Sequence, residues 1–574
     1  MKRLFKIFKQ YKTSAILAPT FKLFEALLEL LIPIIVASII NKGIAEKDTN
    51  YVIQMIIVMV ICGIVGLVFS IFGQFFSAKA SVGFSTKIRH ELFEKLQTLT
   101  FTDIDNLGTS SMITRLTYDV NQVQTGINLT LRLLLRSPFV VFGAAILASI
   151  LLPSNAYLFW ISILILSIVI FCILLFSLPL HKKAQNNLDS VLSKTKENLQ
   201  GVRVIRAFGV EDSEIDNYDI QVKKLENSQN LVSNLSSLMN PITYVIVNIT
   251  ITLIIYMGGE KVFDGTIQQG TLIAIYNYMT QILVELIKLA NLIITVSKAI
   301  ASSKRIASIL EMKSTIEIQE KKKIDKLPYI VFDHVNLKYQ NASLESLADL
   351  NFTVDKGDTI GIIGGTGSGK TSLVNLLTRF YDVTTGNLYL DGYDIKSYDP
   401  KELRDRVGFV LQRSILFKGT IRDNIRWGNP SATDQDIMEA LRVAQALDVV
   451  NKKSHKLDEE VEQNGRNFSG GERQRLAIAR ALVKKPEIIV LDDSSSALDY
   501  ATDKALREAI QDLSYHPTIF IVTQRTVSIQ NAKKIIVLDD GKIVGLGTHQ
   551  DLLQNCEVYQ EIYNSQFKKE VNHE

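Results

Sequence analysis

Residues 137–181 contain no Lys, Arg, Asp or Glu across 45 positions. Most helices of a soluble protein show one face to water, so a soluble core does not stay free of charge over that length. A bilayer core takes about 20 apolar residues per helix. The stretch therefore reads as two spans joined by a tight turn at Pro153, Ser154 and Asn155. Residues 51–78 are uncharged for 28 positions, 227–259 for 33 and 265–284 for 20. A weaker span at 15–40 is interrupted by Lys22, Glu25 and Glu29. Six helices are expected, near 15–41, 52–79, 133–152, 156–180, 238–259 and 268–298. The chain has 574 residues and a formal net charge of +4. That near-balance argues against a protein that coats nucleic acid. Three cysteines exclude a disulfide framework.

Lys and Arg placement sets the orientation. The arm MKRLFKIFKQYK holds five Lys/Arg in 12 residues. Segments 79–136 and 181–240 carry most of the rest, Arg132 and Arg136 included, whereas the opposite loops hold Lys42, Lys47 and Lys261. The N-terminus and long loops are thus expected in the cytoplasm. The basic arm also resembles a signal peptide, but Glu25 and Glu29 disrupt its apolar run, so it is read as a retained first helix. Glu25 and Glu29 share a helix face. They form either a cation-attracting wall of a pathway or internal pairs with Lys22 or a neighbouring helix. Glu285 and Lys288, three apart, are expected to pair. Asn240, Asn248, Asn277 and Gln281 line a pathway or bond between helices. Phe72, Phe75, Phe76, Tyr276 and Tyr278 suit an apolar pocket or packing.

Beyond Lys304 the composition changes. Residues 313–328, KSTIEIQEKKKIDKLP, read as a linker between a membrane domain at 1–312 and a second domain at 329–574. From Tyr329 short β-rich runs alternate with helical patterns, the pattern of an α/β domain with a largely parallel sheet. One strand, DTIGII, leads into Gly364-Gly365-Thr366-Gly367-Ser368-Gly369-Lys370-Thr371 and then helical SLVNLL. This is GxxxxGK[ST] in its strand–loop–helix setting. Backbone N–H groups and a helix N-terminus attract phosphate. Lys370 reaches the β/γ-phosphates, Ser372 follows in the first helical turn, and Thr371 offers a hydroxyl to Mg2+. EIIVLDD (487–493) is the matching acidic strand end, with Asp492 a Mg2+ ligand.

FSGGERQRLAIARAL (468–482) resembles the signature of ABC transporters, with Glu472 for the usual Gln. Tyr339 in NLKYQ, Gln412 in FVLQRSILF, GTIRDNIRWG (419–428), SSALD (495–499) and GKIVGLGTHQDLL (541–553) resemble further motifs of that family. The stretches 106–120 and 199–214 look like its two cytoplasmic coupling loops. The resemblance implies a half-transporter of exporter type: a six-helix α-helical transmembrane domain fused to an α/β P-loop nucleotide-binding domain. It implies ATP and Mg2+ as cofactors, with Tyr339 on the adenine, Gln412 near the metal, and Ser469, Gly470, Gly471 and Glu472 facing the nucleotide of an opposite subunit. Asp499 is expected to touch that subunit.

Two positions depart from the family pattern. Asp493 stands where a catalytic Glu is usual, and Gln524 where a His is usual. An Asp carboxylate falls roughly 1 Å short of the attacking water, a displacement that costs on the order of 10²-fold. Gln can donate a hydrogen bond but carries no charge. The pattern is similar to the degenerate-site subunit of bacterial heterodimeric multidrug exporters. Its implied partners are a second half-transporter, the lipid bilayer of the plasma membrane, and hydrophobic or amphipathic compounds, with no nucleic acid. Lipid or peptide translocation, and a nucleotide-gated regulatory subunit, stay open as alternatives.

Overall fold

The structure, a computed structural model, describes residues 1–312, 318–340 and 342–567. By its contacts the chain divides into two units. One comprises Met1–Gln97 and Thr109–Met312, the other Thr98–Gly108 and Lys313–Glu574.

The first unit carries six helices long and apolar enough to cross a membrane: Lys2–Ile44, Thr49–Gln97, Thr109–Leu151, Pro153–Phe208, Glu211–Phe263 and Gln269–Leu310. Each matches one of the six expected spans, with 133–152 and 268–298 overrunning their helices by one residue. At ~1.5 Å per residue, their 42 to 56 residues exceed the ~30 Å of a bilayer core. The excess is polar sequence that continues the same helices past the membrane. The turn Pro153–Asn155 joins the third and fourth helices as expected. Lipid supplies no hydrophobic drive between helices, so close approach relies on small residues. Ala144, Ala145 and Ala148 of the third helix are fully buried in a core with Leu30, Tyr278, Met279 and Ile282. A Cβ on Gly126 would lie 2.2 Å from Ala299 Cβ, so that crossing of the third and sixth helices requires glycine.

Several charged residues of this bundle are paired. Lys22 donates to Glu25 at 2.5 Å and to Ser70 at 3.0 Å. Arg136 Nη2 donates to Glu29 at 2.5 Å, and Nη1 donates to Glu285 at 2.7 Å. Ser137 and Lys288 complete the shell of Glu285 at 2.6 and 2.7 Å. The expected Glu285–Lys288 pair is present, but the expectation for Arg136 needs correcting. It belongs to a buried network joining the first, third and sixth helices. It lies 15 residues from Leu151, about 22 Å along the helix and within bilayer depth. Glu25 and Glu29 are internal pairs, so the cation-attracting wall is replaced by a neutralised network. Tyr278 is wholly buried and donates to Leu30 O at 2.7 Å, which makes it packing. Phe21 stacks on Phe72 and Phe76, with centroids 5.5 and 5.8 Å away. Asn240 and Asn248 are exposed, and Asn277 and Gln281 are half-buried.

The second unit holds two larger sheets. Strands β1 (Ile330–Leu337), β2 (Leu347–Val354), β3 (Thr359–Gly364), β4 (Thr385–Leu390), β5 (Tyr393–Asp394) and β6 (Val407–Val410) come first. Then follow β7 (Gly419–Thr420), β8 (Glu460–Val461), β9 (Ile488–Asp492), β10 (Thr518–Val522), β11 (Lys534–Asp539) and β12 (Lys542–Gly547). The six-stranded sheet runs β12-β11-β3-β10-β9-β6, parallel except for the edge hairpin β11–β12. The antiparallel sheet β2-β1-β4-β5 is an addition to the expected parallel sheet. The alternating burial of β1 packs Ile330, Phe332, Val335 and Leu337 against Ile360 and Ile362 of β3.

Of the expected linker, residues 313–317 lie outside the described residues. Its later part is held on the β5 edge. Ile324 N–H donates to Gly392 O at 2.8 Å and Gln319 N–H to Lys396 O at 3.0 Å. Lys321 pairs with Glu402 at 2.8 Å and lies 4.4 Å over the Tyr398 ring.

Helix Phe101–Leu107 belongs to this unit. It opens with a capping box between Thr100 and Asp103 and ends at Gly108, φ +69°. It lies at the leading edge of the stretch 106–120 that carries the resemblance to a coupling loop. Phe101 packs on Phe380 with centroids 4.3 Å apart.

Candidate nucleotide site

β3 sits between β11 and β10, so its C-terminal end opens at the carboxyl edge of the parallel strands. From there the chain turns through 364–369 into the helix Lys370–Leu377. Gly367 and Gly369 take φ +85° and +94°, backbone that only glycine adopts without strain. At Gly364 a Cβ would lie 2.0 Å from Leu538 O. Gly365 and Thr366 are exposed at the loop tip, whereas Ser368 is buried. Lys370 Nζ donates to Gly364 O at 2.9 Å and Gly365 O at 2.6 Å. Burial pulls the Lys370 ammonium below its usual range, opposed by the carboxylates of Asp493 and Asp492. A cavity of about 510 Å3 lies over the loop, lined by residues 367–372 and by Ser346, Asp540 and Gly541.

Asp492 ends β9 and is 2% exposed. It accepts from Thr371 Oγ1 at 3.0 and 3.1 Å. Burial raises its carboxyl, helped by the neighbouring charge of Asp493. Asp493 lies just beyond at φ +47°, with its N–H donating to Val522 O at 2.9 Å. Gln412 Nε2 donates to Asp493 Oδ2 at 3.5 Å. Gln524 is exposed after β10, and its carbonyl accepts from Gln566 at 2.6 Å. The expected phosphate loop, Asp492, Asp493 and Gln412 are thus brought to one strand edge. The donor set Thr371, Asp492 and Gln412 offers hard oxygens, which suit Mg2+.

Two family models match the chain, the ABC transporter transmembrane region over residues 15–286 and the ABC transporter over residues 347–496. The uncharacterized ABC transporter ATP-binding protein YfiB of Bacillus subtilis (strain 168) is 34% identical over 571 residues, 99% of each chain. This chain belongs to the ABC transporter family. The ATP-dependent lipid A-core flippase of Yersinia pestis is 29% identical, covering 99% of this chain and 97% of that one. A solved bacterial Atm1-family ABC exporter with ATP bound shares the fold. Its TM-score is 0.81 at 22% identity, covering 97% of this chain and 98% of that one. With one transmembrane region ahead of one nucleotide-binding domain, the ABC transporter is a multi-pass half-transporter.

The signature of this half-transporter forms the start of the helix Gly470–Leu482. Ser469 caps it. Glu472 N–H donates to Ser469 Oγ at 3.3 Å, and Ser469 N–H donates to Glu472 Oε2 at 2.7 Å. That backbone bond holds the Glu472 carboxyl below its usual range. A Cβ on Gly471 would lie 2.9 Å from Ala497 O. No hydrogen bond joins Ser469, Gly470 or Gly471 to the 364–372 loop among the described residues. Asp499 caps its own helix through Thr502 N–H at 2.9 Å. Tyr339 donates to Ser372 Oγ at 3.0 Å and stands edge-on to Tyr381 at 4.8 Å.

Sequence reasoning missed Ser346, Asp540 and Gly541 in the lining of the cavity. The Asp-Gly pair between β11 and β12 signalled a hairpin turn, but its place beside the phosphate loop follows from the sheet order alone. It also missed Tyr381 and Asp105, which no local pattern marks.

Proposed function

We propose that this half-transporter is the degenerate-site subunit of a heterodimeric exporter that drives hydrophobic or amphipathic compounds across a bacterial plasma membrane with ATP. The observation that carries the reading is the pair Asp493 and Gln524 beside an otherwise complete grip. Gln412 approaches Asp493 at 3.5 Å, in the place a catalytic base would hold, yet the carboxylate is one methylene short. Gln524 brings no positive charge to stabilise a developing negative one.

Lys370 exchanges two carbonyl acceptors for phosphate oxygens, a stronger charge-assisted partner. Thr371, Asp492 and Gln412 hold Mg2+, which when bound offsets phosphate charge. Tyr339 and Ser372 flank the base and sugar. ATP binds tightly here and is hydrolysed slowly. Ser469, Gly470 and Gly471 present a helix N-terminus to a triphosphate held by the partner, which supplies the missing Glu and His. Exposed apolar residues favour a second chain: Val204, Phe208 and Val210 in the first unit, and Leu411, Ile415, Phe417 and Trp427 in the second. ATP binding draws two nucleotide-binding domains together, coupling helices carry the motion to the membrane helices, and hydrolysis at the partner's site resets them. The Lys/Arg excess puts the N-terminus and the nucleotide-binding domain in the cytoplasm. Nucleic acid has no part in this cycle.

Membranes holding this chain alone are compared with membranes that also hold a half-transporter bearing Glu and His at the matching positions. Slow turnover alone and fast turnover together is the expected result. Equal turnover per site overturns the degenerate-site reading. A lipid cargo is the second reading, favoured by the 29% identity to the lipid A-core flippase. Reconstituted vesicles assayed with lipophilic dyes and with labelled lipids separate the two. Movement against a gradient rules out a nucleotide-gated regulatory subunit.

A further inference from the structure

A cavity of about 340 Å3 opens in the first unit beside the helix Lys2–Phe8, a size at the lower end of small-molecule pockets. Phe5, Phe8, Phe84, Ile127, Leu131 and Ile300 give it an apolar wall. Phe8 stands edge-on to Phe84 with centroids 5.4 Å apart. The Thr130 hydroxyl, also in the wall, donates to Gly126 O at 2.6 Å and is spent within its own helix. Leu131 precedes the helix end Leu151 by about 30 Å of helix, the thickness of a bilayer core. The cavity therefore sits at the level where lipid headgroups begin. Beside it the chain is basic. Lys2, Lys6 and Lys9 recur four and three residues apart, the spacing of one helix face, and all three are exposed. Arg3 is committed elsewhere, to Glu91 at 2.8 Å and to Leu310 O at 3.4 Å, and Glu311 holds the amino group of Met1. Among the described residues the side chains of Lys2, Lys6 and Lys9 have no ion pair and no hydrogen bond.

We propose that this cavity binds an acyl chain of an anionic phospholipid whose phosphate lies on Lys2, Lys6 and Lys9. An apolar slot at headgroup depth, flanked by unanswered lysines, matches both halves of such a lipid. A zwitterionic lipid fills the slot but gains little from the lysines, and a soluble anion meets the lysines but not the slot. A second copy of this chain docked through the same arm would set like charges together. Gly126 and Ala299 belong to the wall, at a crossing that leaves no room for a Cβ on Gly126. The acyl chain therefore lies against the contact between the third and sixth helices, and its presence bears on their spacing. The proposal goes beyond the ATP reading and does not depend on it.

The test is native mass spectrometry of the full chain, alone and with its partner, in a neutral detergent. Bound lipid is counted as phosphatidylglycerol or phosphatidylcholine of equal chain length is added. Phosphatidylglycerol is expected to bind one site about tenfold or more tighter, with the preference shrinking as salt rises. Lys2→Gln, Lys6→Gln and Lys9→Gln combined should weaken phosphatidylglycerol about fivefold per lysine. Phosphatidylcholine binding by the same variant should not change, and it reports that the fold is intact. Lys2→Arg, Lys6→Arg and Lys9→Arg combined should keep the preference. Ile300→Trp, which fills the slot, should weaken both lipids. The proposal is overturned if the parent binds both lipids alike, or if the preference survives loss of the three lysines. It is equally overturned if glycerol phosphate competes as well as the whole lipid, or if Ile300→Trp changes neither affinity, since the slot then plays no part. If adding the partner expels phosphatidylglycerol and Ile300→Trp blocks assembly, the cavity is a subunit interface and the proposal falls.

Discussion

Two sites, one in each unit of the chain, treat buried charge in opposite ways. In the helical unit every charge of the Arg136 network meets its opposite: Arg136 bonds Glu29 and Glu285, and Lys288 returns to Glu285. At the nucleotide site, among the described residues, Lys370 bonds carbonyls and a hydroxyl only, and Asp492 accepts from a hydroxyl only. Their opposite charges are close enough to be felt, yet no ion pair joins them among the described residues. A network that closes on itself holds helices together. Charges held on neutral partners are free to be exchanged for a ligand. In the proposed reading the same difference separates grip from cut, with Lys370 and Thr371 as the grip and Asp493 and Gln524 as the altered cutting side.

The sharpest way to break this contrast is Arg136→Ala. It leaves the Glu285 carboxylate, 2% exposed, without its guanidinium, and removing one partner of a buried pair costs about 3–5 kcal/mol. Thermal unfolding in detergent reads the loss, and Arg136→Met with Glu285→Leu should restore much of it. Next in size is the gain expected at the cutting side. Asp493→Glu, combined with Gln524→His, should raise single-turnover hydrolysis at this site on the order of 10²-fold, followed by quench-flow with the partner's site disabled. No gain would place the defect in the partner's signature.

Lys370→Ala should weaken ATP binding about 10- to 100-fold, the worth of one or two charge-assisted bonds. Stability should hold or rise, because an ammonium held on neutral acceptors leaves the interior. A drop in melting temperature would show that Lys370 is structural, like Arg136. The smallest effect belongs to Ser469→Ala, which removes a helix cap at about 1 kcal/mol. Its larger consequence is expected at the partner's nucleotide, so hydrolysis by the mixed complex should fall more than stability does.

The sequence by itself determined the elements and their chemistry. Six spans, the strand–loop–helix around Lys370, and the departures at Asp493 and Gln524 are written in runs of a few to a few tens of residues. Membrane burial, sheet alternation and loop glycines act at that range. Tertiary structure alone decided the pairings between distant segments. Arg136 looked like one more basic residue of a cytoplasmic loop, and only the meeting of three helices turned it into the centre of a buried network. Phe101–Leu107 reads as membrane-domain sequence, yet its ring contacts place it with the nucleotide-binding unit. The antiparallel sheet stayed hidden because β1 alternates as any half-buried strand does, and nothing in one strand names the neighbour it pairs with. A local pattern states which face of an element is apolar. Which surface covers that face depends on the whole chain closing, and so does the partner each buried charge finds.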